Sequence, residues 1–124
     1  MGIFQDWRSR RRRNRREVVE LACNGLANAP TIDTDSDDEK AVVVDQMIQL
    51  RVLVLRARRY SRRQSVTFRL FSEADAWLTS WLDTWAENDL SYLHERKLHE
   101  HMVKRLESIA TRLSNALQSE DRTS

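Results

Sequence analysis

The residues with the most distinctive chemistry are arginines near the N-terminus. Nine consecutive positions carry seven of them: Arg8, Arg10, Arg11, Arg12, Arg13, Arg15 and Arg16. A guanidinium group forms paired hydrogen bonds to phosphate and to guanine edges, and it also stacks on bases. Neutralising several phosphates releases counter-ions, so the affinity depends steeply on salt. We therefore predict that this segment binds a polyanion. Because so many like charges repel each other on one helix, we expect it to order fully only when bound.

A second basic segment between positions 56 and 69 is interleaved with the aromatic residues Tyr60 and Phe68. Bases stack both on aromatic rings and on guanidinium planes, so this mixture favours single-stranded or bulged RNA. The candidate nucleic-acid-binding residues here, beside Arg69, are Arg56, Arg58, Arg59, Arg62 and Arg63.

The same segment contains a candidate phosphorylation site. Arg62-Arg-Gln-Ser65 is similar to the sites of kinases that prefer basic residues before the target serine. A phosphate on Ser65 would subtract roughly two charges from the second basic segment. Such a modification would weaken the binding of a polyanion there.

The N-terminal arginines also resemble a known RNA-binding motif. The stretch Arg10-Arg-Arg-Arg-Asn-Arg-Arg-Glu17 is similar to the arginine-rich motif of lentiviral Rev and of phage antitermination proteins. The likeness is confined to these residues. It implies binding to structured or double-stranded RNA, with nuclear import by the same basic side chains.

Residues that could carry catalysis or hold a metal are sparse. His94, Glu95 and His99 miss the zinc-hydrolase spacing by one residue, which turns the two histidines about 140° apart on a helix. Cys23 is the only cysteine, so an internal disulfide is excluded and a reducing, intracellular setting fits best. There is no Gly-rich phosphate loop and no nucleophile elbow. We therefore expect no catalytic residue, no metal site, no cofactor and no enzymatic activity.

Two apolar stripes are candidate interfaces. Trp77, Trp81 and Trp85 share one helical face, which either engages a host or partner protein or forms the core. Residues 90–117 contain a stripe with near-heptad spacing, which predicts a long amphipathic helix and a homodimer that buries the stripe. The stripe consists of Leu98, Met102, Leu106, Ile109 and Leu113.

The elements that must position these residues are predicted to be helices. The chain has 124 residues with only two glycines and one proline, which argues against a turn-rich β-fold. Residues 50–56 and 66–71 have strand-like patterns, so a hairpin between them stays open as an alternative. The predicted helices, two of them after the capping boxes Ser36-x-x-Glu39 and Ser72-x-x-Asp75, cover residues 5–24, 39–60, 73–87 and 90–117.

Charge alternates along the chain, although the net charge is only +2. Basic blocks at 1–28 and 41–71 are separated by acidic blocks at 29–40 and 72–124, which could mask them. The predicted fold class is all-α, a small helical bundle. Its predicted divisions are an Arg-rich N-terminal arm or helix at 1–28, an acidic flexible linker at 29–38, a helical core at 39–117 and a disordered tail at 118–124.

These observations favour a non-enzymatic RNA-binding regulatory protein in the nucleus or cytoplasm, in the style of a viral or phage accessory protein. In the alternative, the chain is an interaction adaptor that uses its tryptophan face to bind a partner protein. The arginines would then serve as a nuclear-import signal or bind an anionic membrane surface through residues 3–16. Ile3, Phe4 and Trp7 precede the arginines, as suits such a surface.

Overall fold

Four α-helices and no strand make up the part of the chain that the structure describes. The structure is a computed structural model that describes the backbone of residues 2–31, 37–87 and 92–123, and the side chains of 13–31, 38–84 and 96–120. The predicted all-α fold class is confirmed, and the hairpin alternative is wrong. The helices are α1 (Gly2–Ala27), α2 (Asp37–Tyr60), α3 (Val66–Glu87) and α4 (Tyr92–Thr123).

The helices form an antiparallel bundle in which each one packs against two neighbours. Helix α1 packs against α2 and α4, and α3 packs against the same two helices. Arg15 contacts Tyr60 whereas Gly25 lies against Leu50, so α1 and α2 run in opposite directions. The short connection at 61–65 reverses the chain between α2 and α3. Contacts of Thr67 and Trp81 with opposite ends of α4 show that α3 and α4 are antiparallel too. This is the arrangement of an up-down-up-down four-helix bundle.

The core is built from one apolar stripe on each helix. In α2 the buried residues follow each other at spacings of four and three, which keeps them on one side of the helix: Val43, Met47, Leu50, Val54 and Ala57. The other three helices contribute Val18, Ala22 and Leu26; Leu70, Phe71, Ala74, Leu78 and Trp81; and Met102, Val103, Leu106, Ile109, Ala110 and Leu113.

Helix α1 differs from the predicted arm in both its end and its packing. The helix was predicted to end at residue 24, but α1 continues to Ala27. A Cβ at position 25 would lie 2.6 Å from Leu50 Cδ1, so the glycine allows α1 and α2 to approach closely. Because Val18, Ala22 and Leu26 are buried, the C-terminal half of α1 is a member of the bundle and not a separate arm.

Helix α3 begins at Val66, seven residues before its predicted start at 73. The alternation of Val66, Phe68 and Leu70 indicated a strand, but Val66 is exposed. The buried residues in this region are Thr67, Leu70, Phe71 and Ala74, whose spacing is helical. The first turns of α3 contain β-branched and aromatic residues, which are common in strands. The sequence pattern therefore resembled a strand.

The remaining differences concern helix ends. Helix α2 begins at Asp37, slightly before its predicted start, whereas half of the predicted linker (residues 32–36, with Ser36) lies outside the described residues. Helix α4 continues to Thr123, so residues 118–123 are helical instead of forming a disordered tail. The Thr67 hydroxyl donates to Glu120 Oε1 at 3.1 Å, and this bond ties the last turns of α4 to α3.

Candidate nucleic-acid interface

The two basic segments meet at one end of the bundle. The Nε of Arg15 donates to the main-chain carbonyl oxygen of Tyr60 at 2.8 Å, and its Nη2 donates to the same oxygen. Tyr60 is the last residue of α2. The carbonyl oxygens at the end of a helix receive no hydrogen bond from an N–H group of the same helix. Arg15 therefore caps α2 and holds residues 13–16 of α1 beside residues 56–63.

At this end of the bundle, most of the predicted arginines with described side chains are exposed. We call these exposed arginines the basic surface. Among the described residues, no carboxylate forms an ion pair with any of them. Their positive charge is therefore available to a polyanion. The basic surface consists of Arg13, Arg15, Arg16, Arg56, Arg59, Arg62 and Arg63.

Arg58 is placed differently from its neighbours. It is half-buried, with its guanidinium carbon 5.8 Å from the centre of the Phe68 ring. Its Nη1 lies 3.8 Å from Asp75 Oδ2, while Arg51 Nε donates to Asp75 Oδ1 at 3.0 Å. Arg58 was predicted to bind nucleic acid, but these contacts make it part of the α2–α3 packing. We therefore leave it out of the basic surface.

Four of the predicted arginines can be located only by their backbone. They belong to α1, which continues N-terminal of the Arg15 contact as far as Gly2. Their side chains lie outside the described residues, as do those of Ile3, Phe4 and Trp7. Their role in binding stays a prediction. These four are Arg8, Arg10, Arg11 and Arg12.

Ser65 caps the N-terminus of α3 within the basic surface. Its Oγ accepts the backbone N–H of Phe68 at 3.1 Å and donates to the carbonyl oxygen of Arg62 at 2.6 Å. The preceding residue, Gln64, has a φ of 69°, which turns the connection into the helix. The sequence predicted a cap at Ser72, whereas Ser65 performs this role. Its phosphorylation stays a prediction.

The Ser65→Ala substitution should destabilise the protein by about 1 kcal/mol, because it removes an N-cap oxygen from α3. Ser80→Ala is the matched control, since Ser80 is exposed in the interior of the same helix. The control should change stability by less than about 0.5 kcal/mol. Urea unfolding followed by circular dichroism measures both, and equal stabilities for the two variants would contradict the cap.

The two described members of the tryptophan face pack inside the chain. Trp81 is 5% exposed, and its ring lies 5.4 Å from that of His99. Trp77 is half-buried between His101 and Arg105 of α4. The side chain of Trp85 lies outside the described residues. The central member of the predicted interface is therefore core, and Trp77 packs against α4 beside it.

The predicted dimer stripe of α4 is also occupied within the chain. Four of its five members are buried against the other helices: Met102, Leu106, Ile109 and Leu113. Leu98, near the start of the stripe, is exposed. The near-heptad spacing thus predicted the helix and its apolar face, but this face has its partners in the same bundle instead of in a second copy.

His99 fastens the segment after α1 to α4. The ring is buried, and its Nε2–H donates to the carbonyl oxygen of Pro30 at 2.7 Å. Burial lowers the pKa of His99 below 6.5, while the Pro30 hydrogen bond and the charge of Glu100 act in the opposite direction. The ring is therefore neutral near pH 7. His99, a weak metal-ligand candidate in the sequence, serves here as a packed core residue.

This lowered pKa predicts a pH dependence of stability. The unfolded chain takes up a proton at position 99 near pH 6.5, before the folded chain does. The effect of His99 on the free energy of unfolding is therefore constant above that pH and becomes unfavourable as the pH drops below it. His99→Gln keeps a donor for Pro30 but cannot titrate. In urea unfolding at about pH 7.5 and pH 5.5, the wild type should lose more stability than the variant. Equal losses would contradict a lowered pKa.

The Cys23 thiol and the side chains of metal-binding type give no reactive site among the described residues. Burial, assisted by the charge of Glu20, raises the pKa of the Cys23 thiol to about 11, so little thiolate forms near neutral pH. Across 13–31, 38–84 and 96–120, no three side chains of the metal-binding types come together to hold an ion. None of the helices, as far as they are described, combines the length and apolarity needed to cross a membrane.

An open groove of about 490 Å³ lies between the start of α3 and the end of α4. Its lining includes the apolar side chains of Val66, Leu70 and Ala116 together with the opposite charges of Arg112 and Glu120. Because one cation and one anion line it, the charge of the groove favours neither anionic nor cationic ligands. The basic surface is thus the better-defined candidate site.

Comparison of the chain with protein-family models, curated proteins and solved structures found no match. The basic surface, the tryptophans and His99 are therefore interpreted from the chemistry of this chain alone.

Proposed function

We propose that this chain is a non-enzymatic RNA-binding regulatory protein whose basic surface binds the phosphates of structured RNA. One observation supports it above all others. The Arg15–Tyr60 contact brings exposed arginines from α1 and from the α2–α3 connection to the same end of the bundle. A single ligand can then be contacted by both segments, although they are far apart in the sequence.

The residue types favour RNA over other polyanions. The basic surface contains arginines only, whereas the three lysines of the chain, Lys40, Lys97 and Lys104, lie elsewhere. Arginine forms paired bonds to phosphate and stacks on unpaired bases, which single strands and bulges of RNA present. Half-buried Tyr60 lies at the same end and adds a ring surface for stacking.

The length of α1 also supports this proposal. The helix continues through residues 2–14 on the N-terminal side of the Arg15 contact. Such a segment is about 20 Å long, which suits insertion into a widened groove of structured RNA. Residues 18–26 hold the other half of the helix in the core. The bundle thus presents the arginine-rich half of α1 from a fixed base.

The test is a titration of a labelled, bulged RNA hairpin with the full chain between about 50 and 200 mM salt. The double variant Arg62→Gln/Arg63→Gln should bind about tenfold more weakly, and the slope of log K against log salt should fall by about 1 for each lost phosphate contact. Arg13→Gln/Arg16→Gln should have a similar effect, because both pairs belong to one surface.

The matched control is Lys97→Gln/Lys104→Gln, which removes the same charge from exposed positions on α4. These lysines flank His99, whose contact with Pro30 lies at the opposite end of α1 from Arg13. The control should bind RNA like the wild type. Absence of wild-type binding, or an equal loss in the control, would refute the proposal. Binding to anionic phospholipid vesicles in place of RNA would assign the surface to a membrane instead.

A further inference from the structure

Helix α2 carries a second apolar stripe on the side that faces away from the core. Its buried side is formed by residues 43–57 at core spacing, as described above. On the opposite side Ile48 is 46% exposed and Val52 is 52% exposed, and Leu55 is half-buried. The core uses the other face of α2. Ile48 and Val52 are therefore largely uncovered within the described bundle, and Leu55 is covered only in part.

Charges flank this outer stripe in a definite order. The exposed acidic residues Asp38 and Asp45 precede it, and the exposed basic residues Arg56 and Arg59 follow it. The outer positions recur at intervals of three and four residues, which is the spacing of a coiled-coil seam. We call this seam the outer face of α2; it consists of Asp38, Ala41, Asp45, Ile48, Val52, Leu55 and Arg59.

The outer face has an acidic end, an apolar centre and a basic end. Two copies of this face are therefore complementary when they run in opposite directions. We propose that the outer face pairs, antiparallel, with the same face of a second copy of this chain. The two-fold axis then passes at the level of residue 50. Ile48 of each protomer therefore contacts Val52 of its partner, and symmetry gives two such contacts. Asp45 of each protomer lies beside Arg56 of its partner, and Arg59 lies opposite Ala41, one turn from Asp38.

Charge also decides the direction of the pairing. In a parallel pair, Asp45 would face Asp45 and Arg56 would face Arg56, and such like-charge contacts are unfavourable. The antiparallel pair turns all of them into attractive contacts. The intrahelical hydrogen bond from Gln49 to Asp45, at 3.1 Å, leaves the second carboxylate oxygen of Asp45 for the partner.

The size of the contact sets its expected strength. Residues 38–59 span about 30 Å of helix, and a seam of this length lies at the low end of stable interfaces. We expect a dissociation constant in roughly the micromolar range. The inference does not rest on the proposed RNA binding. Arg59 belongs to both surfaces and Arg56 borders the outer face, so RNA and a second copy would compete for these two arginines.

Sedimentation equilibrium of the full chain without RNA tests the dimer. The wild type should be dimeric at about 100 µM, and Asp45→Arg or Arg56→Asp should each weaken the dimer about tenfold or more. The double variant Asp45→Arg/Arg56→Asp should restore it. A mixture of the two single variants should form mixed dimers, because both cross-protomer contacts are then attractive.

Asp83→Arg serves as the charge-matched control, since Asp83 is exposed on α3, away from the outer face. It should leave the dimer unchanged. A monomeric wild type would overturn the inference, and so would a dimer that neither charge reversal weakens. A double variant that stays monomeric while circular dichroism shows it folded would overturn the antiparallel pairing. None of these outcomes would count against the proposed RNA binding by Arg62 and Arg63.

Discussion

Replacing Ala22 with Asp is expected to destabilise the protein by about 4 kcal/mol or more, enough to unfold much of it at room temperature. Ala22 is 0% exposed and lies between Val18 and Leu26 on the stripe that α1 contributes to the core. A carboxylate at this position would be buried without a cationic partner, which is among the most costly single changes. Urea unfolding followed by circular dichroism gives the size of the loss.

Leu21→Asp is the matched control, because it introduces the same group at the neighbouring position on the solvent side. Leu21 is 54% exposed, so we expect a change within about 0.5 kcal/mol. The pair separates the two interpretations of α1. If the helix were an arm that precedes the core, both variants would be as stable as the wild type.

The anchoring of α1 bears directly on binding. Because Val18 and Leu26 are buried and Arg15 is bonded to Tyr60, Arg13 and Arg16 project from a helix with a fixed position. Binding of a ligand to the basic surface then costs less free energy for ordering the protein than binding to a mobile tail would cost. Pre-organisation of this kind supports the proposed binding of a polyanion.

Much of the fold follows from the sequence because periodicity reports helices directly. The spacing of Met102, Leu106, Ile109 and Leu113 predicted α4 and the face that it buries. The scarcity of glycine and proline predicted helices elsewhere. Periodicity shows which residues share a face, but not what covers that face, so the same spacing was interpreted as a dimer seam.

Helix α2 shows this limit most clearly. It has two apolar faces, and the sequence offers no means to decide which one enters the core. The structure buries Met47 and Val54 and exposes Ile48 and Val52. Packing against α1 and α3 decides the matter, and this information is distributed over the chain.

The meeting of the two basic segments was likewise beyond local patterns. Arg15 and Tyr60 are 45 residues apart, and their contact depends on the antiparallel packing of α1 and α2. One signal was present in the sequence. Arg15 continues the stripe of Val18, Ala22 and Leu26 by one turn, which places a charged residue where the core ends and a helix terminus can accept it.

The Trp81→Ala substitution is expected to cost about 3 to 5 kcal/mol, because it leaves a cavity where a large aromatic side chain fills the core. Trp81 is 5% exposed and stands between α3 and α4 with its ring against that of His99. Thermal and urea unfolding should both show the loss.

Trp77→Ala is the control for Trp81→Ala, one turn earlier on the same helix. Trp77 is half-buried, so the same truncation removes fewer contacts and should cost about 1 to 2 kcal/mol. The order of the two costs distinguishes a core from a binding surface, since a residue that anchors an external partner contributes little to the stability of the free chain. If Trp81→Ala were as stable as the wild type, the tryptophan face would be available to a partner protein, and the adaptor function would then account for it better than RNA binding does.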